Sequence, residues 1–117
     1  MKRSLSRSER LKSRADFARV FDKPDLRSGC TGAKLVARRN GLEHGRFAVT
    51  MIKNYGNAVH RNRGRRVLKE VYRNMKQDLP KGFDIIVLLY PGDYGFHERE
   101  QQFMELIRRA EFARMDK

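Results

Sequence analysis

Between Phe83 and Tyr90 every residue but Asp84 is apolar, and Ile85–Tyr90 is the longest clear apolar stretch of the chain. A short run without polar alternation suits a central strand covered on both faces. It is far too short to span a bilayer. Pro91-Gly92-Asp93 breaks it, and the rest of the chain offers mainly amphipathic segments to pack on it.

Ser8 followed by Glu9 predicts a helix start, and Leu11, Ala15, Ala18 and Phe21 keep helical spacing to about Phe21. Pro24, Ser28 and Gly29 mark a loop. Residues 32–38 and 46–52 read as strands, with Asn40-Gly41 a turn signal in a connection longer than a two-residue hairpin. A helix is predicted over 58–79, stopped by Pro80-Lys81-Gly82. A last helix over about 97–114 aligns Phe103, Leu106, Ile107 and Ala110 on one stripe. This order implies an α+β sandwich with helices on a small mixed sheet. Its strand-helix-strand unit, 46–90, should set two parallel strands side by side. The length of 117 residues suits one domain, 1–117, with residues 1–7 a flexible basic start.

The predicted helix at 58–79 divides sharply when projected at about 100° per residue. Val67, Leu68, Val71, Tyr72, Met75 and Leu79 form one arc, and Arg63, Arg66, Lys69, Arg73 and Lys76 the opposite one, with Arg65 at its margin. Six Arg and Lys residues lie between His60 and Arg73 against a single acid, Glu70. Solvated helix faces usually mix signs, and a single-sign face repels itself unless an anion neutralises it. The whole chain leans the same way, with 27 Lys and Arg against 14 Asp and Glu and a net charge of +13. Nucleic acid is the first partner class this implies, and an anionic membrane the second.

On the predicted N-terminal helix Arg10, Arg14, Phe17 and Phe21 share one side. Rings flanked by cations suit unpaired nucleic acid, since bases stack on the rings while phosphates meet the charges. Two Phe at i and i+4 are also ordinary core residues; a helix laid on a sheet can leave such rings half covered. Catalytic patterns are weak. His44, His60 and His97 lack metal-ligand spacing, Asp22, Asp25, Asp84 and Asp93 form no acidic cluster, and the glycine runs at 41–45 and 92–95 lack a Walker lysine and hydroxyl. The single cysteine, Cys30, fits a reducing compartment, and the basic N-terminus has neither an apolar region nor a cleavage site. A cytoplasmic location is expected.

The run Lys53-x-x-Gly56-Asn57-Ala58-Val59-x-Arg61-Asn62-Arg63-x-Arg65-Arg66-x-x-Lys69-Glu70 resembles the signature of the bacterial ribonuclease P protein component, whose core is an Arg-Asn-Arg motif. Leu11, Asp16-Phe17 and Val20-Phe21 resemble that family's N-terminal helix, and Gly82–Val87 its last strand. The resemblance implies element order α-β-β-(β)-α-β-α with a left-handed β-α-β crossover, as in a ribosomal-protein second domain. General twist rules would favour the right-handed hand. It implies an accessory subunit of an endoribonuclease that removes the 5′ leader of precursor tRNA. Ribonuclease P RNA would be the catalyst and would hold most of the Mg²⁺, with none bound tightly by the protein. The implied partners are that RNA and precursor tRNA, with no membrane and no small-molecule substrate. Lys53, Asn57, Arg61, Asn62, Arg63, Arg65, Arg66, Lys69 and Arg73 would meet the catalytic RNA; Arg10, Arg14, Phe17 and Phe21 would meet the leader. No protein residue would be catalytic. Gly64 departs from the family pattern, where a larger residue stands, and predicts a helix that starts late or frays there. The strand near Gly32–Leu35 lacks the aromatic residue expected to face the leader. A ribosomal RNA-binding protein shares the charge and layout and is the alternative; a stand-alone metal-dependent nuclease is a more distant one.

Overall fold

The computed structural model describes residues 9–112. In chain order these form α1 (Arg14–Asp22), β1 (Leu26–Cys30), β2 (Ala33–Arg39), β3 (Arg46–Met51), α2 (Ala58–Met75), β4 (Phe83–Leu89) and α3 (Phe96–Ala110). The strands make one mixed sheet in the order β1-β2-β4-β3. As the apolar run predicts, β4 is interior, antiparallel to β2 and parallel to β3. No helix among the described residues is long and apolar enough to cross a membrane.

Strand alternation explains how β4 is buried twice. Phe83, Ile85, Val87 and Leu89 enter the larger core with Leu68, Val71 and Tyr72 of α2 and Phe103 and Leu106 of α3. Ile86 faces the other way, into a smaller cluster with Leu11, Val20 and Ala48, bordered by Phe17 and Val36. Thus α2 and α3 cover one face while α1 crosses part of the other. Asp84 shares the α1 face and is only 2% exposed. Its carboxylate accepts from Arg46 Nε (2.8 Å), Arg46 Nη2 (2.7 Å) and Asn40 Nδ2 (3.0 Å). Arg46 Nη1 reaches on to Asp16 Oδ2 at 3.2 Å, so a part-buried ion pair, backed by the buried Asp84, docks α1 on the sheet. These contacts, the Asp84 hydrogen bonds first, raise the Arg46 pKa further.

Four expectations change. The residues read as a loop at 24–29 include β1, which pairs with β2 through the two-residue turn Thr31-Gly32; Gly32, at φ +89°, takes the left-handed conformation the turn needs. Asn40-Gly41 is a turn but not a hairpin, because β4 lies between β2 and β3. Helix α1 begins at Arg14, not near Ser8, which lies outside the described residues. Ser13 Oγ caps α1 by accepting from the backbone N–H groups of Ala15 and Asp16. Leu11 is instead held at the sheet edge, its N–H donating to Phe47 O at 3.1 Å beside an Arg10–Phe47 bridge. The helix predicted to run to residue 79 ends at Met75, followed by a 3₁₀ turn over Lys76–Asp78. Residues 1–7, expected to be flexible, lie outside the described residues, as do 113 and 114 at the end predicted for the last helix.

Candidate RNA interface

Asn57 caps the start of helix α2, its Oδ1 accepting from His60 N at 3.0 Å. Arg61 folds back on the preceding loop and donates to the carbonyls of Gly56 (3.2 Å), Ile52 (3.2 Å) and Lys53 (2.6 Å). Two motif residues therefore hold the helix entrance in shape. The next positions differ. Asn62, Arg63, Arg66 and Lys69 are exposed, and no carboxylate of the described residues pairs with Arg63, Arg66 or Lys69. Arg65 donates to Asn62 Oδ1 at 3.3 Å. Arg73 is half-buried and paired with Glu70, so its charge is already partly answered.

Gly64 neither delays nor frays the helix, which is continuous from Ala58. It is buried against the sheet, where an added Cβ would lie 3.0 Å from Met51 Cε, 3.1 Å from Tyr55 Oη and 3.3 Å from Leu89 Cδ1. The missing side chain is what lets α2 approach the ends of β3 and β4.

Arg10 leaves the α1 group and joins the α2 group, correcting the shared helix side predicted for it. Although Lys69 is exposed, partial desolvation against the helix surface lowers its pKa, followed by the nearby charges of Arg10, Arg65 and Lys12. Glu9 pairs with Lys76 of the 3₁₀ turn at 3.1 Å. Arg10 and Lys12 thus carry the cationic surface of α2 round the β3 edge toward α1. On α1 itself Arg14 is exposed, Phe17 is half-buried against the smaller cluster, and Phe21 is 41% exposed. The two rings lie 6.5 Å apart at 24°, giving the half-covered aromatic strip that the spacing allowed.

Among the described residues no group of three or more His, Cys, Asp or Glu side chains is placed to hold a metal ion.

The family model described as Ribonuclease P matches residues 5–111. The chain belongs to the ribonuclease P protein family. A ribonuclease P protein component from Thermotoga sp. (strain RQ2) is 35% identical over 88 residues, spanning 75% of this chain and 74% of the relative. One from Pseudomonas aeruginosa is 36% identical over 110 residues, or 92% of this chain and 81% of the relative. The solved RNase P protein from Thermotoga maritima matches with a TM-score of 0.78 at 28% identity, over 88% of this chain and 98% of that one. That from Staphylococcus aureus, at 24% identity, supports the fold with a TM-score of 0.80 over 88% and 95% of the two chains.

As a ribonuclease P protein the chain is an accessory subunit of an endoribonuclease in tRNA processing, and its ribonucleoprotein setting makes RNA its partner. The ribonuclease P fold also brings forward residues that linear patterns missed. Lys34 and Tyr90 share the α1 face, with Lys34 Nζ 5.6 Å from the Tyr90 ring centre. Strand alternation from Leu35 and Leu89 would have placed both there. Tyr90 supplies an aromatic beside β2, which has none of its own. Lys12 had no such signal, because its place depends on the edge contact of Leu11.

Proposed function

We propose that this chain binds ribonuclease P RNA through the exposed side of α2 and the 5′ leader of precursor tRNA through α1 and the neighbouring sheet face. The observation that carries this reading is the cationic surface without acidic partners at Arg63, Arg66 and Lys69, prolonged by Arg10 and Lys12 round the β3 edge. Phosphate charge is the counterpart such a surface needs.

Within it, Lys53, Asn62, Arg63, Arg65, Arg66 and Lys69 contact the catalytic RNA directly. Asn57 and Arg61 set the helix entrance from which those residues project, and Arg73 contributes from its pair with Glu70. Arg14, Phe17 and Phe21 receive the leader, with Arg10 joining the two surfaces and Lys34 and Tyr90 extending the aromatic strip. Bases stack on half-covered rings while the sugar-phosphate chain follows the cations. The RNA subunit performs the hydrolysis and holds the Mg²⁺; the protein lowers the Mg²⁺ concentration that cleavage requires by neutralising phosphates near the substrate. This work takes place in the cytoplasm.

The test is reconstitution with a bacterial ribonuclease P RNA at low Mg²⁺. Accurate leader removal should depend on adding the protein. Arg66→Ala should weaken binding of the catalytic RNA, and Phe17→Ala should weaken precursor tRNA more than mature tRNA. Stacking losses of this kind run to roughly 1–3 kcal/mol per base. Unchanged cleavage and discrimination in both variants would remove the site assignment.

A further inference from the structure

Beside the first turns of α2, on the side of the sheet away from Phe17 and Phe21, lies an open pocket of about 520 Å³. That volume is within the range of roughly 300–1,000 Å³ usual for small-ligand sites. Tyr55, Tyr94 and Val67 give it aromatic and apolar walls, His60 and Arg63 stand on α2, and Asp93 is its one carboxylate.

Arg99 forms part of the pocket and is only 2% exposed. Its Nη1 donates to Gly32 O (3.0 Å) and Gln102 Oε1 (2.9 Å), and its Nη2 to Tyr55 Oη (3.0 Å) and Tyr90 O (3.0 Å). Both terminal nitrogens are therefore committed to protein acceptors. The guanidinium also lies 4.5 Å from the Tyr94 ring centre, so one buried cation fixes both tyrosines. Gly64 completes the arrangement, since a Cβ there would crowd the Tyr55 hydroxyl. Arg99 braces the walls, and the charge available to a ligand comes from Arg63. Flat walls beside the exposed Arg63 suit a base and its phosphate, because every base presents a π-face.

We propose that this pocket receives one unpaired nucleotide of RNA, its base against Tyr55, Tyr94 and Val67 and its phosphate on Arg63. The inference rests on the reading of α2 as an RNA-binding helix and adds a base-accepting site to a surface otherwise suited to phosphates. The nucleotide comes from ribonuclease P RNA or from precursor tRNA, two sources of the same chemistry.

The experiment measures binding of ribonuclease P RNA, and of precursor tRNA to the assembled holoenzyme, for wild type, Tyr94→Ala, Tyr94→Leu and Tyr94→Phe. Chemical probing of unpaired Watson–Crick edges accompanies each. Tyr94→Ala should weaken binding by roughly 5- to 150-fold, the range expected for loss of one stacked base. Tyr94→Phe should restore it, and one nucleotide protected by wild type and Tyr94→Phe should become reactive in both Tyr94→Ala and Tyr94→Leu. A loss in the catalytic-RNA arm identifies that subunit as the source; a loss confined to the holoenzyme arm identifies the substrate. Tyr94→Leu keeps apolar bulk beneath Arg99 and guards against a folding defect. If Tyr94→Leu melts like wild type, binds both RNAs equally well and leaves every protection in place, the pocket proposal is overturned while the α2 reading survives. If wild type binds ribonuclease P RNA no better than an unrelated RNA of equal length, the α2 reading falls and takes this proposal with it.

Discussion

A glycine inside a helix costs roughly 1 kcal/mol relative to alanine, so Gly64 reads in sequence as a weak point. Its contacts reverse that meaning, because Met51, Tyr55 and Leu89 occupy the space a side chain would need. Gly64→Leu should therefore destabilise the protein by about 1–3 kcal/mol through overpacking, measured by urea unfolding. Tyr72 is a second residue whose role depends on burial. It stacks on Phe47 with ring centres 4.2 Å apart, and burial, followed by the Glu9 carboxylate, pushes its hydroxyl up to about 12. An unfolded tyrosine ionises near 10. The stabilisation from keeping Tyr72 neutral is thus complete below pH 10 and is lost as pH rises through about 12. Its size is roughly 2–3 kcal/mol. Alkaline unfolding followed by tyrosinate absorbance should show wild type losing stability over that interval, and Tyr72→Phe should flatten the loss.

Among the elements, α1 depends on a charge network more than on its own length. It has nine residues and one fully buried side chain, Val20. The Asp16–Arg46–Asp84 chain supplies its anchor. Arg46→Ala should cost about 3–5 kcal/mol in urea unfolding, as expected when a buried carboxylate loses its partner. Faster amide hydrogen exchange along α1 should accompany it. The same elements show how far sequence reaches. The interior position of β4, the two faces of α2 and the stripe of α3 follow from periodicity, because each is set by a residue's own spacing. Strand β1 escaped because its turn-forming Ser28 and Gly29 mask an edge strand; Ser28 Oγ finds its partner far along the chain, at Leu106 O, 2.8 Å away. The start of α1 escaped because Leu11 fits helical spacing yet is claimed by the β3 edge, a tertiary contact. Among the interface residues, the exposure of Arg63 and Arg66 was legible from the helical projection. The inward turn of Arg61 and the regrouping of Arg10 were not, since each depends on where another segment lies.

Taken whole, the molecule spreads its positive charge over α2, the segment at 10–12 and the exposed side of α1. Binding to ribonuclease P RNA should fall steeply with salt, with a log-log slope set by the number of phosphates contacted. Removing Arg66 should reduce that slope by about one and weaken binding of most RNA sequences alike, as titrations at several salt concentrations would show. The contact of Leu11 with Phe47 has another consequence. An open strand edge invites pairing with other chains, and the backbone at Arg10–Leu11 occupies that edge of β3. Clipping the chain just after Lys12 would remove cations from the proposed RNA surface and also uncover a template for aggregation. On the proposed assignment, solubility and RNA affinity are inherited through the same few residues, so selection for either one constrains the other.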